Sequence, residues 1–157
     1  MTVSVEEQVR VTREVLDRHA GTEGAALPVL HEIQEALGFV PTEAIPLVAH
    51  ALNRSRAEIH GVVTFYHDFR AAPAGRHVVK LCQAEACQSM GSAGVAAALS
   101  QRLGVGLGET SGDGRVTLEP VYCLGLCACA PAAMVDGEVM GRLDQAAIEA
   151  IGQAVRR

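Results

Sequence analysis

From Ser4 to Phe69 the apolar positions recur at helical spacing, and the polar and small residues between them mark four segments. Ser4 followed by Glu7 has the form of a capping box, opening a helix on which Val5, Val9 and Leu16 recur as far as Gly21. "LPVLHEIQEALG" predicts a second helix, with Pro28 near its start, Leu30, Ile33 and Leu37 on one face and Gly38 as the stop. "PTEAIPLVAHALN" predicts a third, with Thr42 as N-cap and Ile45, Val48, Ala49 and Leu52 facing inward. Ser55 and Glu58 form another capping box ahead of "RAEIHGVVTFYHDF", whose Val-, Thr- and Phe-rich tail is expected to leave helical geometry near Val63.

Between residues 70 and 77 "RAAPAGRH" carries no periodicity, and its Pro, Gly and small residues mark a boundary. Beyond it the period changes. "HVVKLC" is a β-branched run ending on Cys82, and "SAGVAAALSQRLG" is helical with Gly104 as its stop. "GVGLGETSGDGR" reads as a glycine-rich loop, and "VTLEPVYC" alternates as a strand up to Cys123. "AAMVDGEVMG" reads as two short strands around Asp136-Gly137, a hairpin signal, and "LDQAAIEAIGQAVRR" closes as a helix. The fold class expected is α+β, with an N-terminal helical region (1–73) and a small α/β domain (74–157).

Composition narrows the function classes. A net charge of −5, with Lys80 as the single lysine, argues against nucleic acid, which requires a basic face. No apolar run approaches the roughly 20 residues needed to cross a bilayer, and "MTVSVEEQVRVTREVL" is unlike a secretory signal. A cytoplasmic protein without membrane insertion is expected. "GVGLG" at 104–108 leaves a helix, whereas a dinucleotide fingerprint leaves a strand and opens one. No dinucleotide-binding site and no catalytic residues are expected on this chain.

The chemistry lies in the cysteines. Five occur, all between residues 82 and 129, an odd and clustered set unlike a secreted disulfide framework. Cys82 and Cys123 each end an inferred strand, and each has a companion a few positions on, Cys87 and Cys127. Neighbouring strand ends would aim the four thiols into one space. The spacings C-x4-C and C-x3-C are looser than zinc knuckles, and the thioredoxin-type C-x-x-C is absent. A two-iron, two-sulfide cluster takes two thiolates per iron and suits these spacings better. Structural zinc, buried thiols and a disulfide stay open as alternatives. Gly91, Ser92 and Gly125 would leave amides free to approach an anionic centre, or would simply make turns. Cys129 is read as a small apolar side chain beside the site. The six histidines lack ligand spacing and are read as surface or packing residues, and Phe65, Tyr66 and Phe69 as packing ahead of a partner anchor.

The motifs "LPVLHEIQEALGFVP", "IHGVVTFYHDF", "CQAEAC", "CLGLCACAP" and "VDGEVMGRL" together resemble the thioredoxin-like 2Fe–2S subunits. These include the 24-kDa-type subunit of respiratory NADH dehydrogenase, the gamma subunit of NAD-dependent molybdenum formate dehydrogenase, and similar subunits of NAD-reducing hydrogenases. The resemblance implies a thioredoxin-like domain holding one 2Fe–2S cluster, with Cys82 and Cys87 on one iron and Cys123 and Cys127 on the other. "CQAEACQSMGS" looks most like the formate dehydrogenase form. That form implies two partners, a flavin/NAD-binding subunit carrying FMN and a large molybdenum- and iron–sulfur-binding catalytic subunit. Respiratory NADH–quinone oxidoreductase and NAD-reducing hydrogenase are the alternative parents, and a zinc-stabilised interaction module is the reading from another class.

Overall fold

The computed structural model describes residues 3–156. The chain divides into two compact units, one up to Pro73 and one from Ala74.

The first unit is helical: α1 (Val5–Arg18), α2 (Ala26–Leu37), α3 (Ala44–Ala51) and α4 (Arg56–Phe65). Its core gathers Val15, Val29, Leu30, Ile33, Val48 and Ile59, all essentially inaccessible. The stripe α1 turns inward is Gln8, Thr12 and Val15, while Val5 is exposed. The two polar members are tolerated because they are satisfied. Gln8 donates to the Val3 carbonyl at 2.9 Å and Thr12 to the Gln8 carbonyl at 2.7 Å. Ser4 caps α1 by accepting from the Glu7 amide at 3.2 Å, but the Glu7 carboxylate turns to Arg10 instead of completing a box. At Ser55 the box is complete.

Pro28 and Pro46 each lie at the third helical position of their helices, inside the first turn where no amide donor is needed. Helix α3 begins two residues after Thr42, and its N-cap position is Glu43, with no side-chain cap. Helix α4 runs through Val63 to Phe65, two residues further than its β-branched tail suggests. There Thr64 folds its hydroxyl back onto the His60 carbonyl at 2.9 Å, compatible with the helix. Of the three grouped aromatics, Phe69 is buried, but Phe65 is 73% and Tyr66 44% exposed, so only Phe69 packs into the core.

The second unit is a five-stranded mixed sheet with helices. Its elements are β1 (His77–Cys82), α5 (Glu85–Ser89), α6 (Ser92–Leu103), β2 (Glu109–Thr110), β3 (Val116–Val121), β4 (Ala132–Val135), β5 (Glu138–Gly141) and α7 (Gln145–Ala154). The strand order is β2-β3-β1-β4-β5, and only β1 and β3 run parallel. Val79, Leu81, Val116, Leu118, Leu99 and Ile151 form its core.

Two elements escape the hydrophobic pattern because they are too short to show a period. One is the two-residue β2, inside the glycine-rich segment; the other is the five-residue α5. Pro120 sits in β3 opposite Leu81 of β1, and the pairing of β3 with β2 stops at Leu118. The missing amide of Pro120 therefore interrupts no ladder on the β2 side. The β4–β5 turn places Asp136 at φ 50° and Gly137 at φ 92°, the left-handed pair a two-residue hairpin requires. Among the described residues no helix is long and apolar enough to cross a membrane.

Candidate metal centre

Strands β1 and β3 are parallel neighbours, and their register sets Cys82 beside Val121. Both chains therefore leave the sheet at the same end, and each then delivers two cysteines. Cys82 is the last residue of β1 and Cys87 the third residue of α5; both are 3% exposed. Cys123 lies two residues past β3, and Cys127 begins a 3-10 turn over Cys127–Cys129; both are exposed. The buried pair packs with Ala130 and Ala132, against the partly buried Ala84, Val121, Leu124 and Leu126.

The thiols are arranged as two interacting pairs, Cys87 with Cys82 and Cys127 with Cys123. Burial pushes the Cys82 thiol up, yet the donors collected on its sulfur bring it below the usual thiol range. They are the Ala84 amide, the Cys87 thiol and the amides of Cys123 and Leu124. The last two come from the other cysteine loop, so the Cys82 sulfur ties the two loops together. Cys87 is pushed up, first by burial and then as the donor to Cys82, with the Ala132 amide opposing. Cys127 is pushed up by its bond to Cys123 and by charge on Cys123, with smaller contributions from burial and from Cys82.

The Gly125 amide lies 3.3 Å from the Cys123 sulfur. Amides aimed at sulfur stabilise its thiolate form, the form that binds metal. All five cysteines are free thiols, and the donor set of two thiol pairs with amide support fits two irons with two thiolates each. Among the described residues no three His, Cys, Asp or Glu side chains are grouped as a single metal ion would need.

Cys123 carries a feature that spacing does not reveal: its φ is 113°, a conformation that costs a non-glycine residue of order 1–3 kcal/mol. This twist follows Tyr122, which is 70% exposed; Met90, just past α5, is 61% exposed. Gly91 precedes α6 with φ 88°, and Ser92, the first residue of α6, is fully buried with its hydroxyl unpartnered. Gly125, with φ 78°, makes the turn between Cys123 and Cys127.

Cys129 is half-buried, and its backbone amide donates to the Leu126 carbonyl while its carbonyl accepts from the Arg142 amide. The histidines lie elsewhere. His19 meets Glu32 at 2.6 Å, His77 meets Asp136 at 2.7 Å and His31 packs on Phe69. The glycines of "GVGLG" make turns: Gly104 ends α6, and the Gly108 amide bonds the Leu118 carbonyl. A hollow of about 600 Å³ lies in the helical unit beside Leu16, His19 and Asn53, and no cysteine lines it.

Known proteins share this sequence pattern and architecture. The sequence profile of the thioredoxin-like 2Fe–2S ferredoxins matches residues 12–156. One component of the NADH-quinone oxidoreductase of Pseudomonas aeruginosa is 39% identical over 117 residues, covering 74% of this chain and 70% of that one. The HndA component of the NADP-reducing hydrogenase of Solidesulfovibrio fructosivorans is 33% identical over 129 residues, covering 82% and 75% respectively. A solved structure of an NAD+-reducing NiFe-hydrogenase in its air-oxidized state superposes with a TM-score of 0.71 at 26% identity. It matches 84% of this chain, which spans only 23% of that one. With the profile covering nearly the whole chain and the fold agreeing, the protein belongs to the thioredoxin-like 2Fe–2S ferredoxin family.

Proposed function

We propose that this chain is the electron-transfer subunit of an NAD-linked oxidoreductase and holds one 2Fe–2S cluster, with Cys82 and Cys87 on one iron and Cys123 and Cys127 on the other. The observation carrying this reading is the delivery of two thiol pairs from one end of two adjacent parallel strands. The cluster, when bound, supplies one-electron transfer. The protein's part is to fix the four sulfurs, to cover Cys82 and Cys87 from water, and to offset the anionic charge with amides of Ala84, Leu124, Gly125 and Ala132. Flavin and NAD belong on a partner subunit in this reading.

The parent assembly we favour is a soluble NAD-dependent formate dehydrogenase, with a flavin/NAD-binding partner and a large molybdenum- and iron–sulfur-binding partner. The support is the stretch "CQAEACQSMGS". The second reading, the corresponding subunit of a respiratory NADH–quinone oxidoreductase or an NAD-reducing hydrogenase, is favoured by the names of the relatives.

Anaerobic reconstitution of the full chain with iron and sulfide tests the cofactor. Visible absorption and a 2Fe–2S electron paramagnetic resonance (EPR) signal after reduction are expected, with loss of colour in Cys82→Ser and Cys123→Ser and retention in Cys129→Ser. A colourless, zinc-loaded, folded protein would overturn the reading. Isolation with native partners separates the assemblies: a molybdenum subunit supports formate dehydrogenase, whereas a membrane arm or a nickel–iron subunit supports the second reading.

A further inference from the structure

We propose that Gly141, together with the backbone of Arg142, is the positioning element for the turn that carries Cys127. The inference rests on the assignment of Cys127 as a cluster ligand and adds a residue to it from outside the cysteine loops.

The two halves of the site are held differently. Cys82 ends a core strand and Cys87 is buried beside it, so the sheet fixes them. Cys127 is exposed and lies in a three-residue 3-10 turn, not in a strand. Its turn is closed by the Cys129 amide donating to the Leu126 carbonyl at 2.8 Å. The far end of that turn is gripped by three consecutive residues at the exit of β5. Gly141 pairs with Ala132 in the β4–β5 ladder. The Arg142 amide donates to the Cys129 carbonyl at 2.6 Å, and the Leu143 amide to the Pro131 carbonyl at 3.1 Å. Leu143 is itself in the core of the unit, so the grip is anchored.

Space at Gly141 is already taken. A Cβ there would lie 2.6 Å from the Cys129 carbonyl oxygen and 2.7 Å from the Cys129 Cβ. Neither atom is the end of a flexible side chain, so the turn itself would have to move. Arg142 next to it holds φ at 53°, a left-handed conformation that is unfavourable for a side-chain-bearing residue. The bond to Cys129 comes from this residue. A glycine that lets backbone approach backbone, followed by a strained donor, fixes the height of the Cys127 turn over the sheet. It also gives the fifth cysteine its part: the backbone of Cys129 is the handle and its thiol is dispensable.

The test compares reconstituted full-length wild type, Gly141→Ala, Gly75→Ala and Cys127→Ser. Gly75→Ala is the steric match, since a Cβ at Gly75 would lie 2.8 Å from the Val116 backbone in the same unit but at the start of β3, the other end of that strand from the cysteines. The readouts are the EPR lineshape after reduction, the rate at which a chelator bleaches the visible absorption, and the melting of the metal-free protein. Gly141→Ala is expected to lose iron about tenfold faster or more, in the range typical of residues supporting metal ligands, with a changed lineshape. Gly75→Ala is expected to keep the wild-type lineshape and rate whatever its melting temperature. Should Gly141→Ala not fold, Gly141→Ala combined with Cys129→Gly removes the 2.7 Å contact while the 2.6 Å approach to the carbonyl of residue 129 still displaces the turn, and carries the same comparison. Wild-type behaviour of the Gly141 variant beside an altered Cys127→Ser overturns the positioning role alone. Wild-type behaviour of Cys127→Ser overturns the ligand assignment and the positioning role together.

Discussion

At the scale of single residues, several carboxylates of the helical unit are held by side-chain or backbone partners that shift their protonation. Glu32 accepts from His19 at 2.6 Å and from Arg18 at 2.7 Å. These bonds, His19 first, hold its carboxyl below the usual glutamate range against a small opposing effect of burial. A carboxyl lowered in the folded state stabilises the fold above its ordinary value, here 4.5, and that contribution disappears as pH falls from there through the lowered value. Glu32→Gln should therefore flatten the decline of the urea midpoint below pH 4.5. An unchanged slope would show that the His19–Glu32–Arg18 group adds nothing to acid stability. Among the cysteines the residue scale is less legible in sequence. Spacing brought out the pairs, but it shows neither the φ of 113° at Cys123 nor the amides of Cys123 and Leu124 that act on Cys82 from the other cysteine loop.

At the scale of elements, local chemistry and tertiary contact divide the work. The complete box at Ser55 joins the Ser55 hydroxyl to the Glu58 amide at 3.1 Å and the Glu58 carboxylate to the Ser55 amide at 2.8 Å. Ser55→Ala should cost about 1 kcal/mol in equilibrium unfolding, measured against Ser4→Ala, where the return bond is missing and the loss should be smaller. These signals lie within four residues of each other, which is why they can be read directly. Val5 shows the opposite case: its position fits a helical stripe, yet the helix turns Gln8, Thr12 and Val15 inward. A 3.6-residue period permits more than one face on so short a helix, and the neighbouring helices choose between them. Phe65, the last residue of α4, and Tyr66, just past it in extended backbone, both face solvent, while Phe69, further on, reaches the core.

At the scale of the whole molecule, each of the two units draws its core from its own residues. Ile33→Ala, at a fully buried position of the helical unit, should cost about 2–5 kcal/mol in that unit's unfolding. It should leave the spectrum of a cluster bound in the other unit unchanged, which absorption and EPR measured on one sample would check. The sequence alone determined the change of period near residue 70, the succession of helices and longer strands, and the four paired thiols. Each of these is written in neighbouring residues, where periodicity, caps and ligand spacing act over a few positions. Only the tertiary structure decided that β1 and β3 lie side by side and parallel, that the amides of Cys123 and Leu124 reach the Cys82 sulfur, and that Gly141 backs the Cys127 turn. Those contacts join segments many residues apart, and chain closure and packing select them together. "KLCQAEACQSMG" and "YCLGLCACAP" carry the donors, but the sheet between them makes the donors one site.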